Sequence, residues 1–89
     1  MTDVLDYAPM CRAATAGADL AELVGAAAID DGVSLDETAA RHEYILDRLT
    51  GDATSAESRE FAAAYRAAAD RMLAEHRALW RQYDHRRLP

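Results

Sequence analysis

Residues 54–84 read TSAESREFAAAYRAAADRMLAEHRALWRQYD, and nothing in them breaks a helix. Alanine, leucine, methionine, glutamate and arginine dominate, all good helix formers. At 100° per residue, Phe61, Tyr65, Ala68, Met72, His76, Leu79 and Tyr83 fall on one stripe about 80° wide. Ala62, Ala69, Leu73 and Trp80 widen it on one side. The spacing predicts a helix over about 55–84, opened by a Thr54/Glu57 capping box and spanning roughly 45 Å.

The segments upstream are read against this helix. Ser34 and Glu37 fit the S-x-x-E pattern of a capping box, and Leu35, Ala39, His42, Ile45, Leu46 and Leu49 form an apolar stripe. A helix over about 35–50 follows, with Gly51 past its end. Leu20, Leu23, Val24 and Ala27 fall at i, i+3, i+4 and i+7, which predicts a helix over about 20–30 stopped by Asp30-Asp31-Gly32. A short helix over about 7–16 holds Pro9 in its first turn and is closed by Gly17. No stretch alternates as a strand would. The expected architecture is all-α: one domain over 1–89, a small bundle of three to four helices with a long C-terminal helix.

The bundle has a length problem. The helix at 35–50 covers roughly 24 Å of a partner of roughly 45 Å, so antiparallel packing engages about 57–72. Leu79, Trp80 and Tyr83 lie beyond that cover. Each large side chain left wet forgoes about 1.5–3 kcal/mol of burial. A folded-back N-terminal helix, a second copy or another protein would cover them. Trp, Tyr and Arg are the types enriched at interface hot spots. The candidate interaction set is therefore Met72, His76, Leu79, Trp80 and Tyr83, rimmed by Arg77 and Arg81. Acids of a neighbouring chain, Asp3, Asp6, Asp19 or Glu22, are candidate partners for the arginines.

Composition narrows the function classes. The 89 residues include 21 alanines and no lysine or asparagine, and all ten basic residues are arginine. The codon usage of a GC-rich genome of bacterial type accounts for this bias, so an arginine-rich tail needs no functional selection. Net charge is −6, split between residues 1–37 (eight acids, one arginine) and residues 59–89 (seven arginines, four acids). A polyanion meets repulsion over most of such a surface. Cys11 is the only cysteine, the N-terminus lacks a basic start with an apolar core, and no run approaches the roughly 18 apolar residues of a membrane span. These features predict a cytoplasmic protein without a membrane segment.

Sites of chemistry are sparse. Metal-binding helices place ligands three or four residues apart. Around His42 those positions are Thr38, Ala39, Ile45 and Leu46; around His76 they are Met72, Leu73, Leu79 and Trp80. The expectation is no metal, no cofactor and two amphipathic histidines in or beside the core. The string LAEHRALW, residues 73–80, resembles the first helix of haemerythrin-like domains, but that family's other histidine and carboxylate ligands have no counterparts here. No Ser-His-Asp or Cys-His spacing occurs, and Arg59, Arg66, Arg77 and Arg81 lie opposite the stripe, so the chain reads as no enzyme.

What remains is protein binding: a small regulator, inhibitor, antitoxin-like partner or accessory subunit, self-associating as a dimer through its last helix. A DNA-binding transcriptional regulator is the alternative, and a small helical enzyme the next. A mobility-shift titration at about 150 mM salt is expected to show no specific duplex complex tighter than roughly 1 μM. A sub-micromolar, sequence-dependent shift would support the DNA-binding alternative.

Overall fold

The computed structural model describes the backbone of residues 2–87 and the side chains of residues 8–79 and 81. Three helices account for it: α1 (Thr2–Asp30), α2 (Leu35–Asp52) and α3 (Ala56–Arg87). There is no strand among the described residues, and no helix there is long and apolar enough to cross a membrane.

The N-terminal half departs from the sequence expectation. The helices expected at 7–16 and 20–30 are one helix of 29 residues, with Pro9 inside it. Proline removes one i→i−4 bond without ending the helix. Gly17 does not cap anything; it is buried in the middle of α1. A Cβ there would collide with the carbonyl oxygen of Phe61 on α3. The glycine is an approach residue, and the two backbones come together at that point.

The buried face of α1 differs as well. Leu23 is 67% exposed and Ala27 is exposed, while Gly17, Ala21, Gly25 and Ala28 are buried. Periodicity favoured the larger apolar residues. Packing selects the smaller ones, because an alanine-lined α3 is reached only by a helix without bulk on the facing side. The core is Ala21, Leu46, Tyr65, Ala68 and Ala69, with Leu20, Val24, Ile45, Leu49 and Met72 packed around it.

Helix ends follow local chemistry. Gly32 (φ 71°) ends α1: its N–H donates to the Ile29 carbonyl at 3.0 Å, and that of Val33 to the Ala28 carbonyl at 3.2 Å. This is the Schellman arrangement, in which a left-handed glycine satisfies the last free carbonyls. Ser34 caps α2, its hydroxyl accepting from the Glu37 N–H at 3.1 Å. Gly51 lies inside α2, which runs on to Asp52. The cap of α3 is not Thr54 with Glu57. Ser55 and Ser58 cap reciprocally: the Ser58 N–H donates to Ser55 Oγ at 3.1 Å and the Ser55 N–H to Ser58 Oγ at 2.9 Å. A serine thus fills the place a glutamate takes in the usual capping box.

α1 and α3 run parallel, with α2 antiparallel to both. Gly17 sits at Phe61, Glu22 pairs with Arg71 at 3.8 Å, and Gly25 faces Met72. A residue of α1 therefore lies opposite one about 47 positions later on α3. This register staggers the pair. A 32-residue helix is about 48 Å long, yet the molecule extends 62 × 26 × 16 Å. The excess length is the stagger. The radius of gyration, 16.0 Å, exceeds the roughly 12 Å of a compact chain of this size.

Two glycines test this reading. Gly17→Ala forces a backbone contact apart and is expected to cost about 1–3 kcal/mol, outweighing the helix propensity it gains. Gly51 has nothing within 4 Å of a Cβ, so Gly51→Ala is expected to gain up to about 1 kcal/mol. Thermal midpoints of the two variants should move in opposite directions; a Gly17→Ala protein as stable as wild type would refute the close approach.

Candidate functional site

Two places hold the residues that sequence reasoning singled out. One is the centre of the bundle. His42 on α2 is 2% exposed and Tyr65 on α3 is fully buried. His42 Nδ1 and the Tyr65 hydroxyl are hydrogen-bonded at 2.8 Å, and the rings meet edge to face with centroids 5.5 Å apart. The other ring nitrogen faces α1, with Nε2 3.9 Å from where a Cβ of Gly25 would stand. The pair thus joins α2 to α3 beneath α1.

Burial lowers the His42 pKa, with the carboxylates of Asp70 and Glu43 opposing that effect. Burial also raises the Tyr65 hydroxyl to about 12. Both groups are held neutral. A neutral imidazole and a phenol match one donor to one acceptor, which is how a buried polar pair is satisfied. No cluster of three or more potential metal ligands exists among the described residues. His76, expected in or beside the core, is half-buried.

The second place is the distal part of α3. Of the expected interaction set, the side chains of Met72, His76, Leu79, Arg77 and Arg81 are described. Met72 packs against the core, and its Sδ and Cε lie 3.8 Å from a Gly25 Cβ position, so it serves its own chain. Leu79 is 62% exposed. Arg77 and Arg81 are exposed, but helical register places each about 160° from Leu79, so they do not rim it. The side chains of Trp80 and Tyr83 lie outside the described residues. Of the acids expected to meet arginines of another chain, Glu22 is engaged by Arg71 of its own chain at 3.8 Å.

The stagger explains why burial stops where it does. Asp30, the last residue of α1, falls opposite about residue 77 of α3, and Leu35 of α2 lies near the level of Met72. From that level on, the described residues of α3, Arg77, Ala78, Leu79 and Arg81, are all exposed. The length mismatch anticipated from sequence is thus met, up to about residue 76, by a long α1.

One feature was not anticipated. An open groove between α2 and the start of α3 is floored by Leu46 and Ala62 and bordered by Thr50, Arg59 and Arg66. Arg66 reaches Glu43 at 3.5 Å, so this guanidinium already has a counter-charge. Arg59 and Arg66 already share one face of α3, seven residues apart; what the antiparallel pairing adds is Leu46 and Thr50 of α2 across from them.

No protein-family model matches this chain, and neither does a curated protein or a solved structure.

The buried pair generates a pH dependence. The His42 pKa is lower folded than unfolded, so its stabilising contribution is complete above the unfolded value near 6.5 and is lost as pH falls. Tyr65 is raised, so its contribution is complete below about 10 and is lost as pH rises toward 12. Tyr65→Phe leaves His42 Nδ1 buried without its partner and is expected to cost about 1–3 kcal/mol. Denaturant titrations from pH 7.5 to about 5 are expected to show wild type losing stability, with a shallower loss in His42→Gln. Equal pH slopes would show that His42 does not carry the effect.

Proposed function

We propose that this chain is a protein-binding module whose working surface is the free distal segment of α3, and that it self-associates through that segment. The observation that carries this is Leu79, 62% exposed on a helix that has outrun both partners. The apolar stripe of α3 is covered at Tyr65, Ala68, Ala69 and Met72 and continues in the same register to Leu79 and the positions of Trp80 and Tyr83. Packing the stripe's continuation would contribute about 1.5–3 kcal/mol per large side chain. A helix laid by its apolar face against another protein is a common mode of recognition. Regulator, inhibitor, antitoxin-like partner and accessory subunit all fit a small protein of this kind. A cytoplasmic setting suits an exposed, solitary Cys11, which a reducing compartment keeps as a thiol.

Light scattering on size-exclusion peaks tests the reading. Wild type at about 50 μM is expected to exceed the mass of one chain, and Leu79→Ser combined with Trp80→Ala is expected to lose several kcal/mol of association. Circular dichroism separates this loss from unfolding. A wild type of one chain's mass would refute self-association.

A further inference from the structure

The groove between α2 and the start of α3 has walls of opposite charge. Glu43 and Asp47 stand on the α2 edge, where helical register puts both within about 60° of Thr50, a residue that borders the groove. Both are exposed. Arg59 and Arg66 line the α3 edge, and Leu46, Ala53, Ala62 and Ala63 lie between the walls. Arg66 reaches Glu43 at 3.5 Å, with both side chains more than half exposed. Arg59 and Asp47 make no ion pair among the described residues. Asp70, one turn past Arg66, ends the basic wall, so the complementary stretch runs over residues 43–53 of α2 and 56–66 of α3.

Mixed walls decide the occupant. An acidic ligand would suit Arg59 but meet Glu43 and Asp47, and a basic one would meet the arginines. A second copy of the same face offers acids to the arginines and arginines to the acids.

We infer that the α2–α3 face pairs with the same face of a second copy, about a two-fold axis parallel to the helices. That axis leaves heights along the helices unchanged. It lays α2 of one copy antiparallel over α3 of the other, repeating between chains the α2–α3 pairing found within one. Within a chain His42 stands level with Tyr65 and Glu43 with Arg66, so Asp47 stands about level with Phe61, within one turn of Arg59. Asp47 of each copy then meets Arg59 of the other. Glu43 meets Arg66, whose guanidinium has donors enough for two carboxylates. Ala53, Ala62 and Ala63 carry no bulk and let the faces close over Leu46. The patch is small, so the dimer is weak, and the charges set its register more than its strength. The contact is isologous and closes at two chains. It does not involve the distal segment of α3 and holds whether or not that segment associates.

The test uses the full chain carrying Leu79→Ser and Trp80→Ala, which removes association through the distal segment. Its mass by light scattering is expected to approach two chains at about 0.5 mM, to go no higher, and to fall to one at roughly 10 μM. Salt at about 1 M is expected to weaken the dimer at least threefold. Two charge reversals are added to this background, Arg59→Glu with Arg66→Glu, and Glu43→Arg with Asp47→Arg. Each alone is expected to stay a single chain at the highest concentration, with helix content unchanged by circular dichroism. An equimolar mixture is expected to return to two chains, because each acidic wall then faces a basic one. Asp47→Asn with Arg59→Gln disturbs no ion pair within the chain and is expected to weaken the dimer at least threefold while the helices stay intact. Arg12→Glu with Arg81→Glu, away from the groove, is expected to leave the dimer in place. A single-chain mass at the highest concentration would overturn the pairing, as would a dimer that ignores the reversals or a mixture that does not recover. A wild type of single-chain mass at about 50 μM, with the distal variant dimeric at tenfold higher concentration, would instead overturn association through the distal segment and keep this contact.

Discussion

The approach of α1 to α3 at Gly17 is the constraint on which the rest depends. The Phe61 carbonyl occupies the space where any Cβ of residue 17 would go. With the backbones this near, alanines suffice to fill the interface, and Ala21, Ala28, Ala62, Ala68 and Ala69 are all buried. A chain with 21 alanines and one phenylalanine builds much of its interior from small side chains, set around Tyr65, His42 and Leu46. It buries surface by bringing helices close, and close packing recovers dispersion contacts that bulk would otherwise supply.

The same contact sets the register. Once Gly17 meets Phe61, the remaining positions of α1 and α3 are fixed along each other, and helices of 29 and 32 residues end out of step. An elongated molecule follows. Surface ion pairs trim this arrangement without deciding it. Glu22 with Arg71, Glu43 with Arg66 and Asp31 with Arg41 are exposed pairs, each worth at most about 1 kcal/mol.

The two histidines that sequence places on apolar stripes have different fates, and the difference is one of cover. His42 lies where all three helices overlap, so it is enclosed and needs the Tyr65 hydroxyl. His76 lies where α1 is ending, and it is half-buried. The neighbours of His42 at i±3 and i±4 are Thr38, Ala39, Ile45 and Leu46. They said nothing of Tyr65, because the partner is supplied by another helix 23 residues away in sequence.

Local chemistry made the helices legible. The Ser34 cap and the left-handed Gly32 are written in residues that touch one another along the chain, so short-range rules suffice for them. The apolar stripes of α2 and α3 were readable for the same reason, since periodicity is a property of one helix. The sequence by itself therefore determined an all-helical protein, the positions of α2 and α3, and a stripe on α3 longer than α2 can cover. It did not determine the role of Gly17, which local rules assign to a helix end, nor which face of α1 turns inward. Those depend on what stands across from the residue. A glycine ends a helix when nothing opposes it and permits a contact when a backbone does, and only the tertiary structure placed Phe61 there.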